Sequence, residues 1–499
     1  VTLLLQLLCV ACAVAGAPRW LRVAQREHYL AGSASWTDQL WLKRSPLSCL
    51  VWVGVVGLFA LGVLVSPWYY VAAAAAAQAT PIGLPYKGRT SKLAWTPRIR
   101  RLSVVLGLLL VVVAVWGPAL AACSSLFLTV LVDLALLIVT PVEKKLAQTF
   151  VDQARATFGK VRPTVIAITG SYGKTTTKNY LAHLLSQTHT VMASPASFNN
   201  AMGLSRAVNE GLVPGTEVFI AEMGTYGAGE IRGLCEVFPP DIAVLTAIGE
   251  VHLQRMKTRE GVLKAKAEIT VKAGTVVLNA DDDLLAGLAV TLTAEGKKVI
   301  RTSIRSADAD VAILKDKLLV GGVEIGTIVL PDSVHPANAA VAVGAAMALG
   351  DDPAVFARRL VDLPTVAHRL EPVSLPNGSW ILDDTYNSNP AGAAEAVRRA
   401  TLLAERSGGR VHVVTPGMVE LGSVQALRNR ELAQAVAASG AATLVIVGKT
   451  NAAALRKGAA SALDVLEVST RPEAVTLIES RSAAGDVVLF ENDLPDHYP

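Results

Sequence analysis

The sequence predicts an α-helical membrane region followed by an α/β body with parallel sheets. Three observations predict this class. Apolar runs crowd the stretch before residue 140. A β-branched run, a glycine-rich turn and a Thr-rich helix follow one another in AITGSYGKTTTKNYLAHLL, Ala167 to Leu185. After residue 390, short strand and helix patterns alternate to the end of the chain.

The chain has 499 residues, enough for roughly three folded units. Its hydrophobic fraction of 52% exceeds that of an ordinary soluble protein, and the excess is concentrated in the first 140 residues. The net charge is +5. Much of it lies in connectors between apolar runs, where basic residues face cytoplasm and anionic headgroups, and no nucleic-acid signature is present. Of the five cysteines, Cys9, Cys12, Cys49 and Cys123 lie in apolar sequence and Cys235 stands alone. They show no metal spacing and no pairing pattern, as in a reducing compartment.

Apolar runs fall at about 1–17, 50–66, 68–83, 103–116 and 118–139, and the last two together are long enough for two passes at about 20 residues each. An N-terminal span and two hairpins, turning near Pro67 and Pro118, would fill residues 1–140. Both basic connectors, Arg19 to Arg44 and Lys87 to Arg101, would then lie on the cytoplasmic side. The expected location is the cytoplasmic (inner) membrane, multi-pass, with membrane lipid as a partner and the catalytic domains in the cytoplasm. Trp68, Tyr69 and Tyr70 read either as an interfacial aromatic cluster or as packing beside a turn. Asp133 is costly in lipid and should face other helices, with Ser124 and Ser125 as polar company, in a structural hydrogen bond or a substrate-related role. From Val142 onward Leu146, Phe150, Ala154 and Phe158 recur every four residues, so residues 141–160 read as an amphipathic linker helix.

Residues 161–366 read as a central domain. TVIAIT (Thr164 to Thr169) is a buried strand, GSYGK is a turn, and the Thr-rich run opens a helix. Backbone N–H groups of Gly170, Ser171, Tyr172 and Gly173 and the helix N-terminus can surround phosphate oxygens. Lys174 adds a positive charge, and Thr175, followed by Thr176, offers a hydroxyl to Mg²⁺. This predicts a P-loop ATPase domain that uses ATP and Mg²⁺. The general spacing G-x-x-x-x-G-K-[ST] would place its first glycine at Ile168, so the loop is a variant. Glu222 ends the strand VFIAE at the same sheet edge, where it reads as a Mg²⁺ ligand or a surface acid in a turn.

The variant T-G-x-x-G-K-T-[ST] is followed by SPASFNNAMG (Ser194 to Gly203), EVFIAEMG (Glu217 to Gly224), TAIGEVHL (Thr246 to Leu253), KAKAEI (Lys264 to Ile269), HPANAAVA (His335 to Ala342), HRLE (His368 to Glu371) and LDDTYNSNP (Leu382 to Pro390). In these motifs and their order the chain resembles the Mur ligase family over roughly residues 160 to 480, and within it the D-alanyl-D-alanine-adding branch. The resemblance implies an ATP-dependent, ADP-forming ligase of peptidoglycan and cell wall biogenesis. Such an enzyme joins a carboxylate acceptor to an amino acid or peptide amine through an acyl-phosphate.

The resemblance also implies roles. His252 matches a ligand of a second metal ion. Lys266 matches a lysine that CO₂ carbamoylates into an anionic metal ligand, whereas helix geometry alone reads Lys264 or Lys266 as solvated. Asn338 and His335 match the adenine-contacting region, or else cap a helix. Arg369 would reach the γ-phosphate, and Asp384 would touch the ribose or orient the phosphates. The implied metal set is Thr175, Glu222, His252 and Lys266, and the catalytic set is Lys174, Lys266 and Arg369. Because Arg369 and Asp384 come from a different domain than the P-loop, closure would assemble the site.

Residues 367–499 read as a Rossmann-like domain of alternating strands and helices. Its VTPGMVELG loop (Val414 to Gly422) would position the incoming amine, although Gly417 and Gly422 also suit plain turns. Residues 306–335 read as β-hairpins around Gly321 and Gly322, an appendage on the central domain. Two features depart from the family. Membrane runs occupy the place of the soluble domain that holds a UDP-sugar, and FENDLPDHYP lacks the glycine-basic ending of the D-alanyl-D-alanine branch. The leading expectation is a membrane-anchored ligase acting on a lipid-linked or wall-precursor carboxylate, beside cell-wall synthesis proteins. The alternative is a tethered enzyme that adds D-alanyl-D-alanine to the usual nucleotide-linked tripeptide. A non-catalytic ATP-binding sensor or scaffold would be marked by loss of Lys174, Glu222 or Lys266, and all three are present.

Overall fold

The structure is a computed structural model that describes the chain apart from residues 87, 89–91, 332–333, 365–369, 386–387, 460–462, 495–497 and 499, and the side chains of Arg44 and Glu371. It forms two compact units, residues 1–147 with 494–499, and residues 148–493.

The first unit is helical: α1 (Thr2–Arg26), α2 (Ser33–Arg44), α3 (Pro46–Leu64), α4 (Trp68–Ala77), α5 (Pro97–Ala114), α6 (Pro118–Leu126) and the start of α7 (Leu128–Val161). Proline opens α3, α5 and α6, where its missing N–H costs nothing and its φ suits a helix. The hydroxyls of Ser45 and Thr96 cap α3 and α5 by accepting from Ser48 N and Ile99 N.

Among the described residues two helices, α1 and α3, are long and apolar enough to cross a membrane, and α6 with α7 would make a third span bent by 81°. This corrects the two-hairpin expectation. The run at 68–83 yields only the 10-residue α4, about 15 Å of helix. The separate linker helix at 141–160 is corrected as well, because α7 runs unbroken through Pro141. Asp133 serves structure: its carboxylate accepts from Ala34 N at 3.2 Å and Ser35 N at 3.0 Å, capping the first turn of α2. Ser124 and Ser125 bond instead to the carbonyls of Ala121 and Cys9. Tyr70 is buried against Phe59 with ring centroids 5.1 Å apart, while Trp68 is exposed.

In the second unit, β1 (Thr164–Thr169), β2 (Val191–Ala193), β3 (Val218–Glu222), β4 (Ile242–Leu245), β5 (Thr275–Asn279), β6 (Lys298–Ser303), β7 (Val311–Leu314), β8 (Lys317–Val320) and β9 (Val323–Thr327) form one sheet. Its order is β2-β3-β1-β4-β5-β6-β7-β8-β9. In that order the strands from β2 to β7 are parallel, β8 turns back antiparallel to β7, and β9 pairs antiparallel with β8. The hairpins around Gly321 and Gly322 are thus no appendage, since β7 pairs with β6 through Thr302–Val311 and Ser303–Ala312 and continues the sheet.

Strand β1 is interior and buried on both faces, as its uninterrupted apolar run requires. Val165 and Ala167 join one core, and Ile166 and Ile168 the other. The end of α7 closes the first core: Val151 and Ala154 are buried, and Phe158 meets Phe238 and Phe219 edge-on at 5.6 and 6.4 Å.

A second sheet holds β10 (Glu371–Ser374), β11 (Trp380–Asp384), β12 (Val411–Thr415), β13 (Thr443–Val447), β14 (Asp464–Val468) and β15 (Val487–Glu491), in the order β10-β11-β15-β12-β13-β14. All but β10 are parallel. Ligands gather at the carboxyl ends of such strands.

Phe219 lies at the meeting point of the three rings and is fully buried. Replacing it with alanine should lower the stability of the full chain by about 3–5 kcal/mol, read as a reduced midpoint in chemical denaturation.

Candidate active site

The turn from Gly170 to Gly173 joins β1 to α8 (Lys174–Leu185). Gly173 sits at φ 81°, and a Cβ there would collide with the Asn338 side chain, so glycine is required on both counts. TAIGEVHL underpins the turn. Ser171 N donates to Ala247 O at 2.8 Å, Gly249 N donates to Ser171 Oγ at 2.8 Å, and Thr246 Oγ1 donates to Tyr172 O at 2.5 Å. Lys174 Nζ folds back on Gly170 O at 2.8 Å.

At the end of the neighbouring β3, Glu222 is 1% exposed. Its Oε2 accepts from Thr175 Oγ1 at 2.9 Å and faces Lys178 Nζ at 3.2 Å, and its Oε1 accepts from Asn199 Nδ2 at 3.2 Å. SPASFNNAMG supplies more than Asn199. Ser194 Oγ accepts from Glu222 N, Asn200 caps the next helix, and Ala196 O accepts from Lys178 Nζ. Burial pulls the Lys178 ammonium below its usual range, against the pull of Glu222. The carboxylate and the Thr175 hydroxyl side by side are hard oxygen donors of the kind Mg²⁺ takes.

The helix Arg259–Ala267 turns Lys266 inward, 2% exposed, and leaves Lys264 outside. Burial, and then the charge of Lys174, holds the Lys266 amine far below its ordinary pKa. Glu268 accepts from Gly229 N and Arg232 N, capping the helix Glu230–Val237 and fixing the register of the lysine.

His252 goes elsewhere: its Nδ1 lies 2.5 Å from Glu420 Oε2, and its ring meets Tyr226 edge-on. Beside it Arg428 forks onto Glu250 at 2.5 and 2.6 Å. These two pairs join the segment after β4 to the segment after β12. Among the described residues no group of three or more His, Cys, Asp or Glu is arranged to hold a metal ion.

A cavity of about 510 Å³ opens between the two sheets, within the roughly 300–1,000 Å³ of small-molecule sites. Tyr172, Gly173, Thr176 and Asn338 line it from one side and Asp384 and Asn389 from the other. His335 lines it too and caps the helix Pro336–Met347 through Nδ1. Glu222, His252 and Lys266 do not contribute to its wall. Arg369, His368, Tyr386 and Asn387 fall outside the described residues.

Sequence reasoning passed over Lys178, although it lies one turn beyond Lys174 on the same helix face. It also passed over Glu491, which is fully buried where β15 ends and accepts from Thr415 Oγ1 at 2.7 Å and from the Ser388 hydroxyl. Burial chiefly, with Asp384 nearby, pushes its carboxyl up to about 7. Only the fold, which sets three strand ends side by side, reveals it.

Breaking the buried Lys178–Glu222 pair leaves an uncompensated charge. Lys178→Met should therefore destabilise the full chain by about 3–5 kcal/mol, whereas adding Glu222→Gln should restore part of that loss in urea denaturation. Glu491 acts through pH. Its folded pKa of about 7 lies above the unfolded 4.5, so the folded state binds the extra proton and stability falls as pH rises from 4.5 through 7. In Glu491→Gln that fall should flatten in denaturation curves taken across the same window.

The Mur ligase middle domain profile matches residues 168–333, and the Mur ligase glutamate ligase domain profile matches residues 368–491. The UDP-N-acetylmuramoyl-tripeptide--D-alanyl-D-alanine ligase of Bacillus subtilis (strain 168) is 28% identical over 348 residues, covering 68% of this chain and 75% of that one. Its Escherichia coli (strain K12) counterpart is 30% identical over 337 residues, covering 63% and 73%. The fold resembles the crystal structure of MurF ligase from Thermotoga maritima in complex with ADP, with a TM-score of 0.60, 24% identity and coverage of 70% of this chain and 80% of that one. The chain belongs to the Mur ligase family and is an ATP-dependent, amide-forming ligase.

Proposed function

We propose that this ligase joins the amine of D-alanyl-D-alanine to the terminal carboxylate of a UDP-N-acetylmuramoyl tripeptide, from a position at the membrane. The names of its relatives, matched over about three quarters of their length, support the substrates. Helices α1 and α3 support the anchoring, with the second unit in the cytoplasm where ATP is found.

In this reading Gly170 to Gly173, Thr176 and the N-terminus of α8 form a P-loop around the phosphates of ATP. Asn338 and Asp384 border the base and ribose, and the sheet of β11 to β15 forms a Rossmann-like domain. Thr175 and Glu222 would hold Mg²⁺, which when bound offsets the negative charge of the phosphate oxygens. Lys266, with its amine held far below its ordinary range by burial, suits carbamoylation, and Arg369 would reach the γ-phosphate. His252 would join the metal set only on release from Glu420.

The acceptor carboxylate attacks the γ-phosphorus, the bond from that phosphorus to the β,γ-bridging oxygen breaks, and ADP leaves as the acyl-phosphate forms. Lys174 stabilises the crowded oxygens. The amine then attacks the acyl carbon, phosphate departs, and an amide remains. The bridge from Glu250 to Arg428 holds the two sheets closed over this intermediate and limits its exposure to water. The Val414 to Gly422 loop presents the amine.

A second reading, a lipid-linked carboxylate as acceptor, is favoured by one observation: the profile matches start at residue 168, and the apolar helices α1 and α3 lie in the sequence before it. The single observation carrying the ligase reading is the Thr175–Glu222–Lys178 cluster beneath the glycine turn. The full chain, given ATP, UDP-N-acetylmuramoyl tripeptide and D-alanyl-D-alanine, should release ADP and form the pentapeptide. Lys174→Ala should lose at least about 100-fold in kcat. ADP release only with a lipid-linked acceptor would select the second reading, and full amine-dependent turnover by Lys174→Ala would refute both.

A further inference from the structure

Glu491 ends β15 at the carboxyl edge of the second sheet. Parallel pairing sets Asp384 opposite Glu491, and on the other side Phe490 opposite Val414. Glu491 therefore stands between Asp384 and Thr415, in one row across three neighbouring strand ends. It is fully buried.

Each carboxyl oxygen has a partner from a different segment. Oε2 accepts from Thr415 Oγ1 at 2.7 Å, and Oε1 accepts from the Ser388 hydroxyl. The Thr415 hydroxyl in turn accepts from Gly417 N at 2.9 Å. The next residue, Asn492, repeats the span: its N–H donates to Asp384 O at 3.1 Å and its side chain to Gly417 O at 2.7 Å. Asn492 adopts φ 64° to do so, a left-handed conformation that asparagine tolerates better than most residues. Two consecutive residues thus tie the strand end that borders the cavity, through Asp384 and Ser388 beside Asn389, to the loop that begins at Thr415.

We infer that Glu491 is a positioning residue for the ligation, fixing the nucleotide-side segment at Asp384 and Ser388 relative to the amine-side loop at Thr415 and Gly417. The inference rests on the assignment of those two segments made under the proposed function. Burying an acid is expensive unless both oxygens are satisfied, and here the two satisfying hydroxyls come from the two segments to be aligned. Attack by the amine demands reacting atoms within roughly 3–3.5 Å, so a shift of about 1 Å between the segments lowers the rate on the order of 100-fold. Glutamine can replace the carboxyl, accepting from Thr415 through its oxygen and donating to Ser388 through its nitrogen.

The test compares the full chain with Glu491→Ala, Glu491→Gln and Ser388→Ala, reading the thermal midpoint, the affinity for a non-hydrolysable ATP analogue, and kcat and KM for amine-dependent ADP release. Glu491→Ala should lower kcat by about 100-fold and weaken the analogue, whereas Glu491→Gln should stay within a few-fold of the parent in both. Ser388→Ala, which leaves Glu491 Oε1 without its hydroxyl, should lower the midpoint less than Glu491→Ala does and still lower kcat while the chain is fully folded, which keeps the test decisive if Glu491→Ala folds poorly. Wild-type kcat and analogue affinity in Glu491→Ala, or equal damage in Glu491→Gln, would overturn the inference. The analogue is read with neither acceptor nor amine, so that arm stands apart from the substrate assignment. A parent chain that turns over only with another acceptor and amine would refute that assignment and leave the comparison of variants intact.

Discussion

A carboxylate at the end of an interior parallel strand cannot stay charged without partners, and the second unit is organised around that constraint at Glu222. Strand β3 lies beside β1, so the acid emerges beneath the glycine turn. Lys178 supplies the compensating charge, Thr175 a hydroxyl and Asn199 an amide. A buried ion pair of this kind adds little net stability but penalises any arrangement that separates its members. The turn, the first helix after it and the loop from Ser194 to Asn200 are thereby held in one geometry before any substrate arrives. Preorganisation of this sort is what an electrostatically demanding phosphoryl transfer needs.

The second sheet completes the site from the other side of the cavity. Asp384 and Asn389 reach its wall from β11 and the turn after it, while Glu420 and Arg428 grip His252 and Glu250. Both grips are partly exposed side-chain contacts, worth little in stability and well suited to open and close. Lys266 sits at the opposite extreme: burial first, and then the like charge of Lys174, hold its amine well below the range of a solvated lysine.

Much of this was legible in the chain, because the motifs encode local physics. TVIAIT followed by GSYGK and threonines specified a strand, a turn and a helix, and the structure sets Thr175 and Glu222 within 2.9 Å of each other. The alternation after residue 390 gave the second sheet. What escaped depended on tertiary context. Apolar content alone cannot tell a full span from the 10-residue α4 or a bent pair of helices, and periodicity cannot show that Pro141 leaves α7 unbroken. A glycine hairpin reads the same whether it stands free or, as with β7 to β9, extends a sheet. Glu491 and Lys178 carried no motif of their own, since their meaning lies in which strand ends and helix turns the fold sets side by side.

The central claim is that ATP activates a carboxylate so that an amine can displace phosphate from it. Isotope transfer tests it most directly. With ¹⁸O in the acceptor carboxylate, each turnover should leave one labelled oxygen in the inorganic phosphate. Phosphate released without label, in step with amide formation, would contradict the account.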